Sequence, residues 1–312
     1  MADIGDIFGG ATSETFLGIP AGTLNDIDAD VVVFGAPCAT PYAATGAYAA
    51  GAPAALRTAI GQFGNARVHM DFDLDGPVLG DGSIQFADCG DLAWSKTDHA
   101  GNRKTILDAT KRILDANAVP VVLGGDDSIP IPFFEAFMDS GPLTVLQIDA
   151  HIDWRDEVGG ERQGLSSNMR RASEMPHIES IIQIGARGIG SARPSDFADA
   201  KAWGVRFLTA RELMERGLEA ALALVPEDAS LLINFDVDAL DPAIMPAVIG
   251  PAPGGLGYWQ VVELIHGAAQ KASIAGFSIV EFVPDRDPTG HAALTASRIV
   301  GNVLGCLARK PG

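Results

Sequence analysis

Acidic side chains follow directly after several apolar runs of this sequence. The run LQI leads into Asp149, His151 and Asp153, and the run INF leads into Asp236 and Asp238. Residues two apart along an extended strand point to the same side, so each set would project in one direction if the extended backbone persists. Two more runs, VVLGG and SIV, lead into three further acids: Asp126, Asp127 and Glu281.

Carboxylates brought together in this number need a compensating positive charge. Without one they repel each other and raise each other's pKa values, and divalent cations are the natural neutralisers. The alternative is that these aspartates cap helices or close turns, as Asp commonly does at strand ends. The combination of motifs favours two metal ions. Oxygen ligands with one imidazole suit Mn(II) better than a thiolate- or His-rich zinc site.

The elements that position these residues are short apolar strands alternating with helix-length segments. Such alternation predicts an α/β fold with a mainly parallel sheet and helices on both faces. In these folds ligands bind at the carboxyl ends of the strands. The predicted strands are VVVFGAP at 31–37, VPVVLGG at 119–125, LTVLQIDAH at 143–151, IIQIGARG at 181–188, VRFLTA at 205–210, LLINFDVDAL at 231–240 and IAGFSIVEFVP at 274–284; the clearest helices are TILDATKRILDANA, ARELMERGLEAALALV and YWQVVELIHGAAQKAS.

Composition excludes several classes of protein. The net charge of −18 over 312 residues opposes nucleic-acid binding and suits a cationic ligand or metal, although an acidic surface also serves solubility. No apolar run reaches the ~20 residues of a membrane span, and the amino terminus lacks the features of a secretory signal. Three cysteines fit no disulfide framework. We therefore expect a cytoplasmic protein that binds neither nucleic acid nor membrane.

Three motifs resemble, in order and spacing, the metal-binding motifs of the ureohydrolase (arginase and agmatinase) family: GGDDS at 124–128, DAHID at 149–153 and FDVDALDP at 235–242. The resemblance continues through PAPGGL at 251–256 and VEFVPDRDPTGHAALTASRIV at 280–300. Upstream it includes VVVFGAP, an Ala-rich loop ending at Arg57 and DCGD at 88–91. It covers the chain from about Val31 onward and is closest to the agmatinase or guanidino-acid branch.

The resemblance implies a three-layer arginase-like fold, with an N-terminal extension at 1–30 and one catalytic domain at 31–312. It also implies a trimer or hexamer and a binuclear manganese site whose bridging hydroxide attacks a cationic guanidino substrate, releasing urea and an amine. The positions that match family metal ligands are Asp127, Asp149, His151, Asp153, Asp236 and Asp238. Asp126 matches an acid that supports the site from behind, and Glu281 matches the carboxylate that pairs with the guanidinium. We assign proton transfer to Asp153.

The sequence departs from the family pattern at two places. Asp127 stands where the family motif GGDHS has histidine, which leaves room for Ni(II) or another ion. QGLSSNMRRASE lacks the usual His-Gly pair near Leu165, so we expect Ser166, Ser167 and Asn168 to line the substrate pocket. Arg170 or its neighbour would meet a substrate carboxylate. The alternative is an ordinary polar loop that caps the following helix.

Two other functions stay open. The departures are compatible with a non-catalytic or regulatory subunit that keeps the fold, although the other predicted site residues are intact. The same fold also suits hydrolysis of a different C–N bond, such as an amide or a formimino group. The reaction product distinguishes these two hypotheses from hydrolysis of a guanidino compound, which alone releases urea.

Overall fold

A computed structural model of the chain describes residues 13–309 and has an eight-stranded, entirely parallel sheet at its centre. The strands are β1 (Val31–Ala36), β2 (Phe86–Asp91), β3 (Val119–Gly124), β4 (Leu143–Ile148), β5 (Ile178–Ile184), β6 (Arg206–Leu208), β7 (Ser230–Asp236) and β8 (Ser273–Val280). Their spatial order is β2-β1-β3-β8-β7-β4-β5-β6. The predicted strands therefore belong to one sheet.

Helices cover both faces of this sheet. They are α1 (Ala52–Gly61), α2 (His99–Asp115), α3 (Pro130–Glu135), α4 (Asn168–Ala172), α5 (Pro194–Trp203), α6 (Ala210–Arg216), α7 (Leu218–Leu222), α8 (Tyr258–Lys271) and α9 (His291–Ala308). Strand residues alternate between two apolar clusters: Val31 and Val33 lie in one, Val32 and Phe34 in the other. The first cluster also contains Leu264 of α8, and the second contains Phe133 of α3. This is the three-layer architecture predicted from the sequence.

The strand register brings the acidic motifs to one edge of the sheet. Ile148 of β4 pairs with Phe235 of β7, so Asp149 and Asp236 follow side by side. On the other side of β7, Asp236 pairs with Val280 of β8, and Glu281 comes next. Because all the strands are parallel, their carboxyl ends meet at this edge.

Two elements upstream differ from the sequence prediction. β2 was not predicted as a strand, and the segment predicted as an Ala-rich loop ending at Arg57 folds into α1 from Ala52 onward. Pro53 lies in the first turn of α1, where its missing N–H costs nothing. The Arg57 guanidinium donates to both carboxylate oxygens of Asp88, at 2.7 and 2.9 Å, and also to Asp91. This largely buried ion pair joins α1 to β2.

Helix boundaries also shift from the predicted ones. α2 starts at His99, earlier than predicted, and its cap residue Asp98 accepts a hydrogen bond from the backbone N–H of Gly101 at 2.8 Å. The predicted helix at 210–225 divides into α6 and α7 at Gly217, whose φ is 78°. A positive φ is readily adopted by glycine and interrupts an α-helix.

The stretch before β1 that was predicted as an extension contributes to the core where the structure describes it. Phe16, Leu17 and Ile19 are buried in the first apolar cluster, and the Phe16 backbone N–H donates to Asp88 Oδ2 at 2.8 Å. Residues 1–12 of the predicted extension lie outside the described residues. Within residues 13–309, none of the helices has the length and apolar character needed to span a membrane.

Candidate metal centre

The turns that follow β4 and β7 gather the acidic motifs. β4 ends at Ile148, after which Asp149 Oδ1 accepts the His151 N–H at 2.6 Å; Asp236 Oδ1 likewise accepts the Asp238 N–H at 2.7 Å. The extended backbone assumed from the sequence therefore does not persist. Instead, aspartate side chains close local turns, as Asp does at strand ends. At Asp153 the chain turns again, with a φ of 44°.

Five of the six predicted ligands fall into two groups of close neighbours, and Asp153 belongs to neither group. His151 Nδ1 lies 2.9 Å from Asp238 Oδ2 and 3.6 Å from Asp149 Oδ1. Two triads have potential ligand atoms that all lie within 4.8 Å of each other: Asp149, His151 and Asp238 form one, and Asp127, Asp149 and Asp236 the other. Asp149 belongs to both triads, so the arrangement suits two cations that share this carboxylate.

Burial makes the cluster strongly dependent on a compensating charge. The pKa values of Asp127, Asp153 and Asp236 are raised well above the ordinary value, first by burial and then by neighbouring carboxylates. Burial lowers the pKa of His151, but Asp149 and Asp238 outweigh it and raise that pKa to about 12. The raised pKa values show that the buried carboxylates are unstable in their charged form without a nearby cation. Carboxylate oxygens together with one imidazole are suitable ligands for divalent cations.

Asp127 is held from behind by two amides. Asn168 Nδ2 donates to the Asp127 carbonyl at 2.9 Å and also to its carboxylate. Asn234 Nδ2 lies 3.4 Å from Asp127 Oδ1, and Ser278 Oγ donates to Asn234 at 2.7 Å. Asn168 therefore lies beneath Asp127, fully buried, whereas the sequence prediction put it on the pocket wall.

A pair of glutamines holds the other side of the cluster. Gln147 Nε2 donates to Asp149 Oδ2 at 2.6 Å and to Asp153 Oδ2 at 2.8 Å, while Gln183 donates to Gln147 Oε1. Both glutamines were missed in the sequence. The signal was available, because Gln147 and Gln183 each stand between buried apolar residues near the end of a strand.

Asp126 supports the site without belonging to either triad. Its Oδ2 accepts the Ala39 N–H at 3.1 Å, and its Oδ1 accepts both the Ser128 hydroxyl and the Ser128 N–H. Asp126 thus ties the loop after β1 to the turn that carries Asp127.

Glu281 directly follows the last residue of β8, and its backbone φ is 72°. Its Oε1 accepts two hydrogen bonds, one from the Asp127 N–H at 2.9 Å and one from the Tyr48 hydroxyl. Burial is the largest cause that raises the pKa of Glu281, to about 8. Tyr48 was missed in the sequence, where it is one aromatic residue in an Ala- and Gly-rich loop.

The cluster forms the floor of a cavity of about 230 Å³. Its lining comprises Asp127, His151, Asp153, Trp154, Arg155, Leu165, Ser166, Gly190, Ser191, Asp196, Asp236, Asp238, Ile249, Gly250 and Glu281. Of the residues predicted to contact substrate, Glu281 and Ser166 line this cavity. Ser167 is fully buried outside the lining, and Arg170 lies near Glu174 and Asp199, at 3.7 and 3.4 Å.

Arg187 connects the Gly-rich segment PAPGGL to the backbone that carries Asp238. The Arg187 guanidinium donates to four carbonyls, those of Gly185 at 3.2 Å, Asp238 at 2.7 Å, Leu240 at 3.1 Å and Ala252 at 2.8 Å. Gly250, just before this segment, lies so close to His151 that an added Cβ would be 3.3 Å from Cε1. Arg187 therefore fixes the backbone on which Asp238 lies.

A buried carboxylate–histidine cluster at the carboxyl edge of a parallel α/β sheet defines a candidate metal-dependent hydrolase. The chain belongs to the arginase family, whose family model matches residues 29–306. This confirms the predicted fold class and the resemblance seen in the sequence.

Three relatives illustrate the similarity. The chain is 31% identical over 228 residues to guanidinobutyrase of Pseudomonas aeruginosa, covering 71% of each chain. The structure of proclavaminate amidinohydrolase from Streptomyces clavuligerus superposes with a TM-score of 0.82 at 28% identity, over 96% of this chain and 99% of that one. Formimidoylglutamase from Bacillus subtilis gives a TM-score of 0.83 at 25% identity, over 97% and 96%.

Proposed function

We propose that this protein is a metal-dependent amidinohydrolase that cleaves a guanidino compound, agmatine or a guanidino acid, to urea and an amine. The observation that carries the proposal is the buried cluster in which two ligand triads share Asp149, beside a glutamate that lines the cavity. Six residues would hold two divalent cations: Asp127, Asp149, His151, Asp153, Asp236 and Asp238. The oxygen-rich set favours Mn(II), with Ni(II) or another ion as the alternative. When bound, the two cations supply a water that ionises near neutral pH and stabilise charge developing on the tetrahedral species.

Glu281 would orient the substrate. Its Oε1 is held by Tyr48 and by the Asp127 N–H, whereas no hydrogen bond within residues 13–309 uses Oε2. We assign Oε2 to a substrate N–H, a charge-assisted hydrogen bond that fixes the amidine carbon above the acidic floor. Ser166, which also lines the cavity, would contact the rest of the substrate.

Asp153 would move the proton. Gln147 holds its Oδ2 at 2.8 Å, and the residue lines the cavity. A carboxylate that is held in place beside the reacting groups can accept a proton from water and deliver it to the departing amine. Gln147 and Gln183 would keep Asp153 in that orientation.

We also propose that the protein is cytoplasmic and forms a homo-oligomer. Cys38, Cys89 and Cys306 are free thiols, which suits the reducing cytoplasm.

Family membership favours a homo-oligomer, a trimer or hexamer, and the exposed side chains of Phe72 and Ile189 supply apolar surface for an interface. Light scattering of the purified chain tests this assembly.

The test of the activity is urea release from protein loaded with Mn(II), with agmatine, arginine, guanidinobutyrate and guanidinopropionate as substrates. Urea from any of them supports the proposal and identifies the substrate. Full metal occupancy with no product from any amidine would instead favour the non-catalytic subunit.

A second activity on the same site is hydrolysis of a formimino group to an amine and formamide. It is favoured by the similarity to the structure of Bacillus subtilis formimidoylglutamase. The reaction R–NH–CH=NH + H₂O gives R–NH₂ and formamide. As in the release of urea, the bond that breaks joins the amidine carbon to the nitrogen of the departing amine. Formamide without urea identifies this alternative.

A further inference from the structure

We propose that Arg155 binds a carboxylate at the far end of the substrate, so that the substrate is an amidino acid and not an amidino amine. The inference rests on the proposed function, because it assumes that the amidine group lies at Glu281. It holds for a guanidino acid and for a formimino acid alike.

The turn that places Asp153 on the cavity floor also places Arg155 on the cavity wall. Asp153 has a φ of 44°, and two residues later the Arg155 N–H donates to the Ser166 carbonyl at 2.9 Å. This hydrogen bond joins the two ends of the loop at 155–166. Among residues 13–309, Arg155 is the one arginine or lysine that lines this cavity. The cavity therefore has the negatively charged acidic cluster on its floor and the positively charged Arg155 on its wall.

The Arg155 guanidinium is incompletely satisfied within the described part of the chain. Its Nη1 lies 2.9 Å from Asp196 Oδ2, yet in a geometry that makes no hydrogen bond, and this buried nitrogen has no other partner. A guanidinium has five N–H donors in a planar fork, which matches the two oxygens of a carboxylate. An incoming carboxylate would therefore supply acceptors that the protein does not.

Asp196 does not offer an equivalent site for a substrate amine. Its Oδ2 already accepts the Arg193 N–H at 3.1 Å in the first turn of α5, and the same oxygen faces Arg155. An ammonium group placed there would lie beside the Arg155 cation, and like charges in a partly buried place repel. The wall consequently favours an anion.

The arginine expected from the sequence lies elsewhere. Arg170 is outside the lining, with its guanidinium near Glu174 and Asp199, so it has acidic partners of its own. The cavity of about 230 Å³ is also smaller than the roughly 300–1,000 Å³ of pockets for drug-sized ligands. It suits an amidine joined to a carboxylate by a short chain.

The test compares a matched pair of compounds, 4-guanidinobutyrate and its neutral amide, 4-guanidinobutanamide, together with the corresponding formimino pair. On the Mn(II)-loaded full chain, kcat/KM is measured for compounds that are turned over and the calorimetric Kd for those that are not. We expect the acid to be preferred, and Arg155→Gln to weaken kcat/KM or binding for the acid by about 10- to 100-fold while changing the amide little. Arg155→Lys should retain part of the preference.

Two controls separate recognition from folding. Arg162→Gln removes an exposed arginine of the same loop, which pairs with Asp156 at 2.7 Å, and should leave the preference unchanged. The double variant Arg155→Gln with Asp196→Asn removes both charges of the ion pair, so that no unpaired acid remains. It should also lose the preference for the acid over the amide. Equal losses for acid and amide, no preference in the unchanged protein, or no binding of either compound would overturn the proposal. Acid-selective binding without urea or formamide would support this subsite while contradicting the hydrolase function.

Discussion

The Tyr48 hydroxyl and the Asp127 backbone N–H donate to the same atom, Glu281 Oε1. Tyr48 comes from the loop after β1, and Asp127 from the turn after β3. The glutamate is therefore fixed by two elements far apart in sequence, and one of its oxygens is already engaged before any substrate arrives. This arrangement gives the first prediction.

Tyr48→Phe should remove the restraint on Glu281 and leave the metal centre intact. We expect kcat/KM to fall by about 5- to 10-fold, with KM affected more than kcat, because one hydrogen bond to a charged group is lost. Metal content per chain should not change. Tyr258→Phe is the control, since it removes a 2.7 Å hydrogen bond to Asp73 outside the cavity lining. The same kinetic effect in both variants would show that Tyr48 acts only on stability.

Glu281→Gln should raise KM strongly or abolish turnover while metal occupancy stays complete. The change keeps the shape of the side chain but removes the charge that pairs with the amidine. Metal analysis beside steady-state kinetics checks it. Loss of metal in this variant would mean that Glu281 belongs to the metal centre and not to substrate recognition.

Asn168→Ala should weaken metal binding, because Asn168 holds both the carbonyl and the carboxylate of Asp127. Changes to groups that orient metal ligands typically cost about 10- to 100-fold in metal affinity. Competition against a chelator of known affinity measures the loss. Asn302→Ala, at a buried asparagine that contacts Tyr258 and Arg298, is the control and should keep normal affinity. Unchanged affinity in Asn168→Ala would remove Asp127 from the proposed ligand set.

Asp127→His should preserve metal binding and shift the preference among metals. An imidazole donor replaces an oxygen donor and removes one negative charge, which favours ions that accept nitrogen ligands. Titration with Mn(II), Ni(II) and Zn(II) in separate experiments checks this. Identical affinities and order of preference in both proteins would count against Asp127 as a ligand.

Arg57→Met should destabilise the fold by about 3–5 kcal/mol, because it leaves Asp88 charged and unpaired in a buried place. Only 8% of the Arg57 side chain and 1% of the Asp88 side chain are exposed. Lys104→Met breaks the exposed Lys104–Asp108 pair and should cost about 0–1 kcal/mol. Urea unfolding of both variants measures the difference. Similar free energies of unfolding for the two would contradict the structural role of the Arg57 pair.

The sequence predicted which strand ends carry acids, but not the conformation of the turns beyond them. Asp149, Asp236 and Glu281 follow apolar runs, and parallel strands bring such residues to one edge whatever the strand order. His151 and Asp238 depend on aspartate-closed turns, which override the period-2 alternation assumed for a strand. Local rules therefore located the site without giving its geometry.

Residues whose roles depend on strand and loop neighbours could not be assigned from the sequence. Asn168 was expected on the pocket wall, but α4 packs beneath Asp127 and turns the amide toward it. Tyr48 reaches the site through a tertiary contact for which no spacing rule exists, and Arg155 lines the cavity through the unpredicted turn at Asp153. Arg57 was predicted to end a loop because the stretch before it is rich in Ala and Gly, although Pro53 is well suited to the first turn of a helix.

The most direct test of the central claim is product release as a function of added metal. Metal-free protein is titrated with Mn(II), and urea and formamide are measured at each step with guanidino and formimino acids present. We expect product to appear with metal and to reach its maximum at two ions per chain. We expect it to be lost in Asp149→Asn, because Asp149 belongs to both triads. Two bound ions per chain with neither urea nor formamide from any of these compounds would contradict the central claim.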